Sequence, residues 1–194
     1  MEWKLFDKPH SYTAAWYATL PLADHLNQQG HALRIYVAAA YAAWYVRFRG
    51  ATSVGDFGAG NGGLLDSIKG LLPAPVRMWG YDLLPDNVRD AQANGRPVTL
   101  CNFLTEKVEW PQLLLLTEVV EHLVDPVAFL RSVPSGTYVI ATVPNYENDM
   151  QHFEHHLWAW DMGGFMDLFM RSGIDIENLA VSDKINLIAG KRAA

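Results

Sequence analysis

Val54-Gly55-Asp56-Phe57-Gly58-Ala59-Gly60-Asn61-Gly62-Gly63 is the stretch on which the fold of this chain turns. The run from Ala51 to Phe57 reads as a strand, and Gly63 to Leu72 as a helix that Pro73 and Pro75 end. Between them lie the glycines. Lacking a Cβ, glycine takes positive φ and lets a ligand come close to the backbone. The start of the following helix offers N–H groups with no partner inside the helix. Gly58, Gly60 and Gly63 match G-x-G-x-x-G, the dinucleotide fingerprint, and a tight strand–helix turn with no ligand satisfies that pattern equally. Asp56 adds something further. A carboxylate two residues before the first glycine repels a pyrophosphate. It suits a ligand with positive charge, such as the amino group of a methionine moiety.

Outward from this turn, strands and helices alternate. Val76 to Tyr81 reads as a strand, and Pro85 to Asn94 as a helix with Pro in its first turn and Gly95 after it. Pro97 to Cys101 is a short strand. Leu113 to Thr117 is an uninterrupted apolar run, as a strand buried on both faces requires. Asp125 caps a helix opened by Pro126, Thr137 to Val143 is a strand, and Asp161 opens a helix to Arg171 that Gly173 ends. Ile174 to Val181 and Lys184 to Ala189 read as an antiparallel pair closing the sheet. Ahead of the core, Ser11 to Gln29 and His31 to Arg49 read as two helices broken at Gly30. The expected fold is α/β: a Rossmann-like, doubly wound, mostly parallel sheet with an antiparallel C-terminal strand and an N-terminal helical cap. One domain is expected, with residues 1–50 as cap and 51–194 as core. Ligands of such sheets bind at the carboxyl ends of the strands.

The totals agree with one soluble domain. The chain has 194 residues, half of them apolar and 19% charged. Seven Trp, eight Tyr and eight Phe serve either an apolar pocket or a well-filled core. The net charge is −6 and the Lys and Arg residues are scattered, which counts against a broad phosphate-binding face and a large nucleic-acid partner. A single cysteine, Cys101, precludes an intrachain disulfide and points to a reducing, cytoplasmic setting. Met1 to Pro9 lacks the pattern of a signal peptide. The longest apolar stretch, Tyr36 to Val46, is too short to span a membrane.

Four further groups fall at expected strand ends. Asp82, followed by Leu83, can accept hydrogen bonds from both hydroxyls of a ribose, or it can simply cap the helix that begins at Pro85. Asn102-Phe103 can hydrogen-bond and pack against an adenine, or serve as a polar turn beside a core ring. In Thr117-Glu118-Val119-Val120-Glu121-His122-Leu123, a helical reading puts Glu118, Glu121 and His122 on one face. Thr142-Val143-Pro144-Asn145 reads as a strand stopping in a turn, and a stretch rich in histidine follows, with His152, His155 and His156.

Together these residues resemble class I S-adenosylmethionine (SAM)-dependent methyltransferases. Asp56-x-Gly58-x-Gly60 is similar to the family's first motif, with Ala59 where Cys or Ser is frequent. Asp82 resembles the ribose acid, Asn102-Phe103 the adenine motif, and Glu118-Val-Val-Glu121-His122-Leu-x-Asp125-Pro126 the motif after the fourth strand. The resemblance implies a SAM site formed by Asp56, Gly58, Ala59, Gly60, Asp82, Leu83, Asn102, Phe103 and Glu118. Within the class, the Glu118-x-x-Glu121-His122 pattern followed by Val143-Pro144-Asn145 is similar to ubiquinone-biosynthesis O-methyltransferases and to small-RNA 2′-O-methyltransferases. The second group holds a divalent metal with such residues and a later histidine. The resemblance places Glu118, Glu121, His122 and His156 at those positions. Ala159 stands where that group has a glutamate, and the intervening loop is shorter.

The resulting expectation is methyl transfer from SAM to an oxygen or nitrogen of a small-molecule acceptor, with Glu121, His122 and His156 as catalytic residues. The cluster would either hold a divalent metal or form a hydrogen-bonded acid–base network with His122 or His156 as base. The N-terminal helices, with Tyr12 and Trp16, would cover the acceptor pocket. The rivals are a metal-assisted RNA 2′-O-methyltransferase, an NAD-dependent oxidoreductase using the same glycine turn, and a SAM-binding protein without catalysis. Oligomeric state is open.

Overall fold

Strand β2 (Ser53–Phe57) ends in the glycine turn and α2 (Gly63–Leu71) begins immediately after it, as the sequence predicts. This computed structural model describes residues 1–5, 29–72, 76–153 and 156–194. The expected helix from Ser11 to Gln29, with Tyr12 and Trp16, lies outside the described residues, as does His155. In chain order the elements are β1 (Glu2–Lys4), α1 (Gln29–Arg49), β2, α2, β3 (Arg77–Asp82), α3 (Pro85–Ala93), β4 (Val98–Leu100) and β5 (Leu113–Thr117). A 3-10 turn (Val120–His122) leads to α4 (Pro126–Ser132), β6 (Tyr138–Pro144), β7 (Trp158–Trp160), α5 (Met162–Arg171), β8 (Ile174–Val181) and β9 (Ile185–Arg192).

Seven strands form one sheet in the order β4-β3-β2-β5-β6-β9-β8. The β2–β3, β2–β5 and β3–β4 pairs are parallel, while β9 runs antiparallel to both β6 and β8. This is the expected Rossmann-like α/β sheet, mostly parallel and ending in antiparallel strands. Leu113 to Leu116 of β5 are wholly buried, which explains the unbroken apolar run. The expected caps form: the Asp125 carboxylate accepts from the Ala128 N–H, and that of Asp161 from the Gly164 N–H. Pro85 opens α3 at a position whose N–H would have no helical partner.

Residue contacts divide the chain within β5 into two units, His10–Leu115 and Met1–Pro9 with Leu116–Ala194. In the first unit, α1 packs through Ala38, Ala39, Ala42 and Ala43, small side chains that allow close approach. Helix α1 begins at Gln29, two residues before the expected start at His31, and takes in Gly30; the expected helix before it lies outside the described residues. Leu65, Ala59, Val88, Ala91 and Val98 form a buried cluster under the glycine turn. In the second unit, β1 pairs with β7 as a separate two-stranded sheet, which the sequence did not announce. Strands of three residues are too short to show an alternating pattern. The Trp160 indole of β7 is fully buried and donates to the Glu2 carboxylate at 2.9 Å.

Candidate active site

The first unit gathers the glycine turn, Asp56 and Asp82 at the carboxyl ends of neighbouring parallel strands. Asp56 pairs with Gly80 across the β2–β3 ladder, and Asp82 ends β3. The Gly58 and Ala59 N–H groups both donate to the Tyr81 carbonyl, at 2.8 and 3.0 Å, which folds the turn over the end of β3. Gly58, Gly60 and Gly62 all have positive φ. A Cβ built on Gly60 would meet no protein atom within 4 Å, whereas one on Gly80 would stand 2.5 Å from the Ala59 Cβ. Gly80 is therefore demanded by packing. Gly60 borders open space, where a ligand can approach the backbone.

Asp82 is buried and accepts from three donors: Gly60 N–H at 2.7 Å, Leu84 N–H at 2.9 Å and the Asn87 amide at 3.2 Å. Burial still raises its pKa above the ordinary value, against those hydrogen bonds. A carboxylate has about four lone-pair sites, so roughly one remains for a ligand hydroxyl. The capping reading of Asp82 is seen directly, since its carboxylate accepts from the Leu84 N–H at the start of α3. Asp56 is more extreme. It is 1% exposed, and its Oδ1 has no hydrogen-bond partner among the described residues. Burial, and then the Asp82 charge, push its pKa up to about 7, with Arg34 of α1 pulling the other way.

Leu83 is half-buried between Asp82 and the N-cap Leu84. The Asn102 side-chain oxygen accepts from Leu104 N–H at 3.1 Å, which makes it a polar turn residue. Phe103 is half-buried, with its ring centroid 5.2 Å from that of Phe57, and Phe57 also packs on Tyr81 and Trp110. Arg96 braces the glycine turn from behind, donating to the Asn61 carbonyl at 2.9 Å and pairing with Asp66 at 2.6 Å.

The second unit holds the glutamate–histidine cluster, with one correction. Glu118 does not share a helical face with Glu121 and His122. It takes φ 56°, the only positive φ at a non-glycine residue among those described, and only the 3-10 turn follows. Its N–H donates to the Thr142 carbonyl at 3.1 Å, and its carboxylate accepts from the Thr142 hydroxyl at 3.1 Å. Glu121, His122 and His156 do converge: one potential ligand atom from each lies within 4.8 Å of the others. Glu121 is fully buried, and the two imidazole centroids are 4.6 Å apart, edge to face. Backbone ties bring them together, since Leu157 N–H donates to the Glu121 carbonyl and the Trp158 indole to the Leu123 carbonyl, each at 2.8 Å.

Sequence reasoning missed Glu147, which lies 2.5 Å from His156 Nδ1 and is itself buried. It also missed Asn87, Arg34 and Arg96. Only Asn87, in the first turn of the helix that follows the candidate ribose acid, carried a local signal. The others act across separations that no spacing rule covers.

No family model matches the chain, and no curated protein resembles it in sequence. Its structure does have relatives. A SAM-dependent methyltransferase of Aquifex aeolicus superposes with a TM-score of 0.65 at 12% identity, over 87% of this chain and 95% of that one. The N-methyltransferase NodS of Bradyrhizobium japonicum, solved with S-adenosyl-L-homocysteine, gives 0.65 at 10% identity, over 93% and 97%. An O-methyltransferase of neocarzinostatin biosynthesis, solved with SAM and 2-hydroxy-5-methyl naphthoic acid, gives 0.63 at 17% identity, over 84% and 55%. At these identities the likeness is one of fold, and this chain carries the fold that these methyltransferases share.

Proposed function

We propose that the protein is a SAM-dependent methyltransferase acting on an oxygen or nitrogen of a small-molecule acceptor. The observation that carries this reading is Asp56, a buried carboxylate with an unsatisfied oxygen beside a glycine turn that opens on free space. An orphaned buried carboxylate is costly, and a cationic ligand group offsets that cost. The positively charged methionine end of SAM meets the need, while the diphosphate of NAD would add repulsion. Asp82 would accept from the ribose, with Leu83, Asn102 and Phe103 along the adenine. Gly58, Ala59 and Gly60 would admit the ligand to the backbone, and Glu118 would border it.

When bound, SAM supplies an electrophilic methyl group. The protein's part is chiefly to hold the acceptor in line, an effect worth up to about 7–11 kcal/mol in well-oriented systems. Where the acceptor must lose a proton, His122 or His156 takes it, with Glu121 beside them. The neocarzinostatin relative was solved with a hydroxynaphthoic acid, so hydroxylated aromatic acids are the first acceptors to try, followed by amines. Calorimetric titration with SAM and with NAD tests the cofactor. SAM binding without NAD binding supports the proposal, and the reverse replaces it with an oxidoreductase.

A second reading of the cluster rests on the convergence of Glu121, His122 and His156, whose mixed oxygen and nitrogen donors suit a divalent ion such as Fe²⁺ or Mn²⁺. Bound there, the ion would act as a Lewis acid toward an acceptor oxygen. Glu118 was the fourth expected ligand, and its hydrogen bond to Thr142 favours the network reading instead. Chelation separates the two. Turnover lost to chelator and restored by Mn²⁺ or Mg²⁺, with SAM binding intact, establishes the metal. Indifference to chelator, with slower turnover in His122→Ala and His156→Ala, supports the network.

A further inference from the structure

We infer that Glu147 is a positioning residue that fixes the tautomer of His156, holding the proton on Nδ1 and leaving Nε2 to act. Its catalytic consequence rests on the methyltransferase reading, but the tautomer itself does not. The geometry starts from Glu147, whose carboxylate is almost wholly buried and makes two contacts from its two oxygens. Oε1 accepts from the Phe153 N–H at 3.0 Å, and Oε2 lies 2.5 Å from His156 Nδ1. An ionised carboxylate can only accept, so the proton on that edge belongs to Nδ1. In a neutral imidazole the other nitrogen then carries the lone pair.

The rest of the segment holds this arrangement in place. His156 N–H donates to the Phe153 carbonyl at 3.0 Å, so Phe153, whose own N–H donates to Glu147, also contacts the His156 backbone. The next residue, Leu157, is tied to the Glu121 carbonyl. His156 is 8% exposed, with the His122 ring against it. Nε2, the nitrogen Glu147 leaves available, is the one that can remove an acceptor's proton or ligate an ion. Carboxylates behind such imidazoles act in this way in many sites.

Glu147→Gln is a discriminating change because it is isosteric. Phe153 N–H still requires an acceptor, so the carbonyl of the substituted amide stays there and its NH₂ faces Nδ1. Nδ1 must then accept, and the proton moves to Nε2. Histidine-selective ¹⁵N labelling with a long-range ¹⁵N–¹H correlation reads this directly, His156 being assigned by its loss in His156→Gln. The expected result is a pyrrole-type Nδ1 and pyridine-type Nε2 in the native chain, exchanged in Glu147→Gln, with Glu147→Asp keeping the native pattern. Turnover of any acceptor found for the enzyme should fall roughly 10–100-fold in Glu147→Gln with SAM affinity unchanged. A native His156 protonated on Nε2 overturns the inference, even if the variants fail to fold. So does a Glu147→Gln spectrum identical to the native one. Failure of the methyltransferase reading appears separately, as absence of SAM binding with the tautomers as expected.

Discussion

Replacing Asp56 by Asn removes one charge from the interior and little else, and its effect on stability and binding can be worked out in advance. Burial and Asp82 raise the Asp56 pKa from 3.8 to about 7. Holding the ionised form in the folded protein therefore costs roughly 4 kcal/mol, by order of magnitude. A folded pKa above the unfolded one means that the folded state binds the proton more tightly. The stabilisation is complete below about pH 4 and is lost as pH rises through about 7. Between pH 5 and pH 8 the native chain should lose roughly 2–3 kcal/mol from this group alone. In Asp56→Asn that slope vanishes. Urea unfolding of both proteins at pH 5, 6, 7 and 8 measures the difference, and other titrating groups largely cancel. Parallel stability curves would refute the buried-charge account of Asp56. The same group links pH to the ligand. If cationic SAM needs ionised Asp56, its affinity should rise about tenfold from pH 6 to pH 8 in the native chain. In Asp56→Asn it should be weak and insensitive to pH. Equal pH dependence in the two would remove Asp56 from the cofactor site.

Other substitutions test neighbouring parts of the site. Asp82→Ala strips an acceptor from the Gly60, Leu84 and Asn87 donors and from a ribose. SAM binding should weaken by about 1–3 kcal/mol in calorimetry. Gly60→Val places a side chain in the open space beside the turn, at φ 54°, and titration should find no SAM binding. Gly80→Ala drives a Cβ to 2.5 Å from Ala59 and should cost about 1–3 kcal/mol in urea unfolding. His122→Ala and His156→Ala should each slow turnover while leaving SAM affinity in place. Full activity in both would return the cluster to structure alone.

How much of this was legible in the sequence follows from how far apart the interacting residues lie. The glycine turn, the caps at Asp125 and Asp161 and the buried strand Leu113–Thr117 are local, and each was read within a residue or two of its place. Glu118 shows the limit of local reading. The i, i+3, i+4 spacing of Glu118, Glu121 and His122 is a helical signature, but the chain leaves β5 with Glu118 in the left-handed region and makes only one 3-10 turn. The bonds to Thr142, 24 residues on, accompany that conformation. Nothing within the motif encodes them. The pairing of β1 with β7 joins segments more than 150 residues apart, through strands too short to show a period.

The two residue groups differ in kind. The glycine turn, Asp56 and Asp82 lie at the ends of the adjacent strands β2 and β3. What sets this group apart is one placement, the Asp56 carboxylate, which the fold buries without full hydrogen-bond compensation. The glutamate–histidine cluster is drawn from three segments: Glu121 and His122 follow β5, Glu147 follows β6, and His156 lies two residues before β7. Glu147 is the clearest case. It stands in a loop stretch, Asn145-Tyr146-Glu147-Asn148, where an exposed glutamate would be unremarkable. Only its burial against Phe153 and His156 gives it a role. A carboxylate that must be buried to matter leaves no trace in spacing, because burial is a property of the assembled chain.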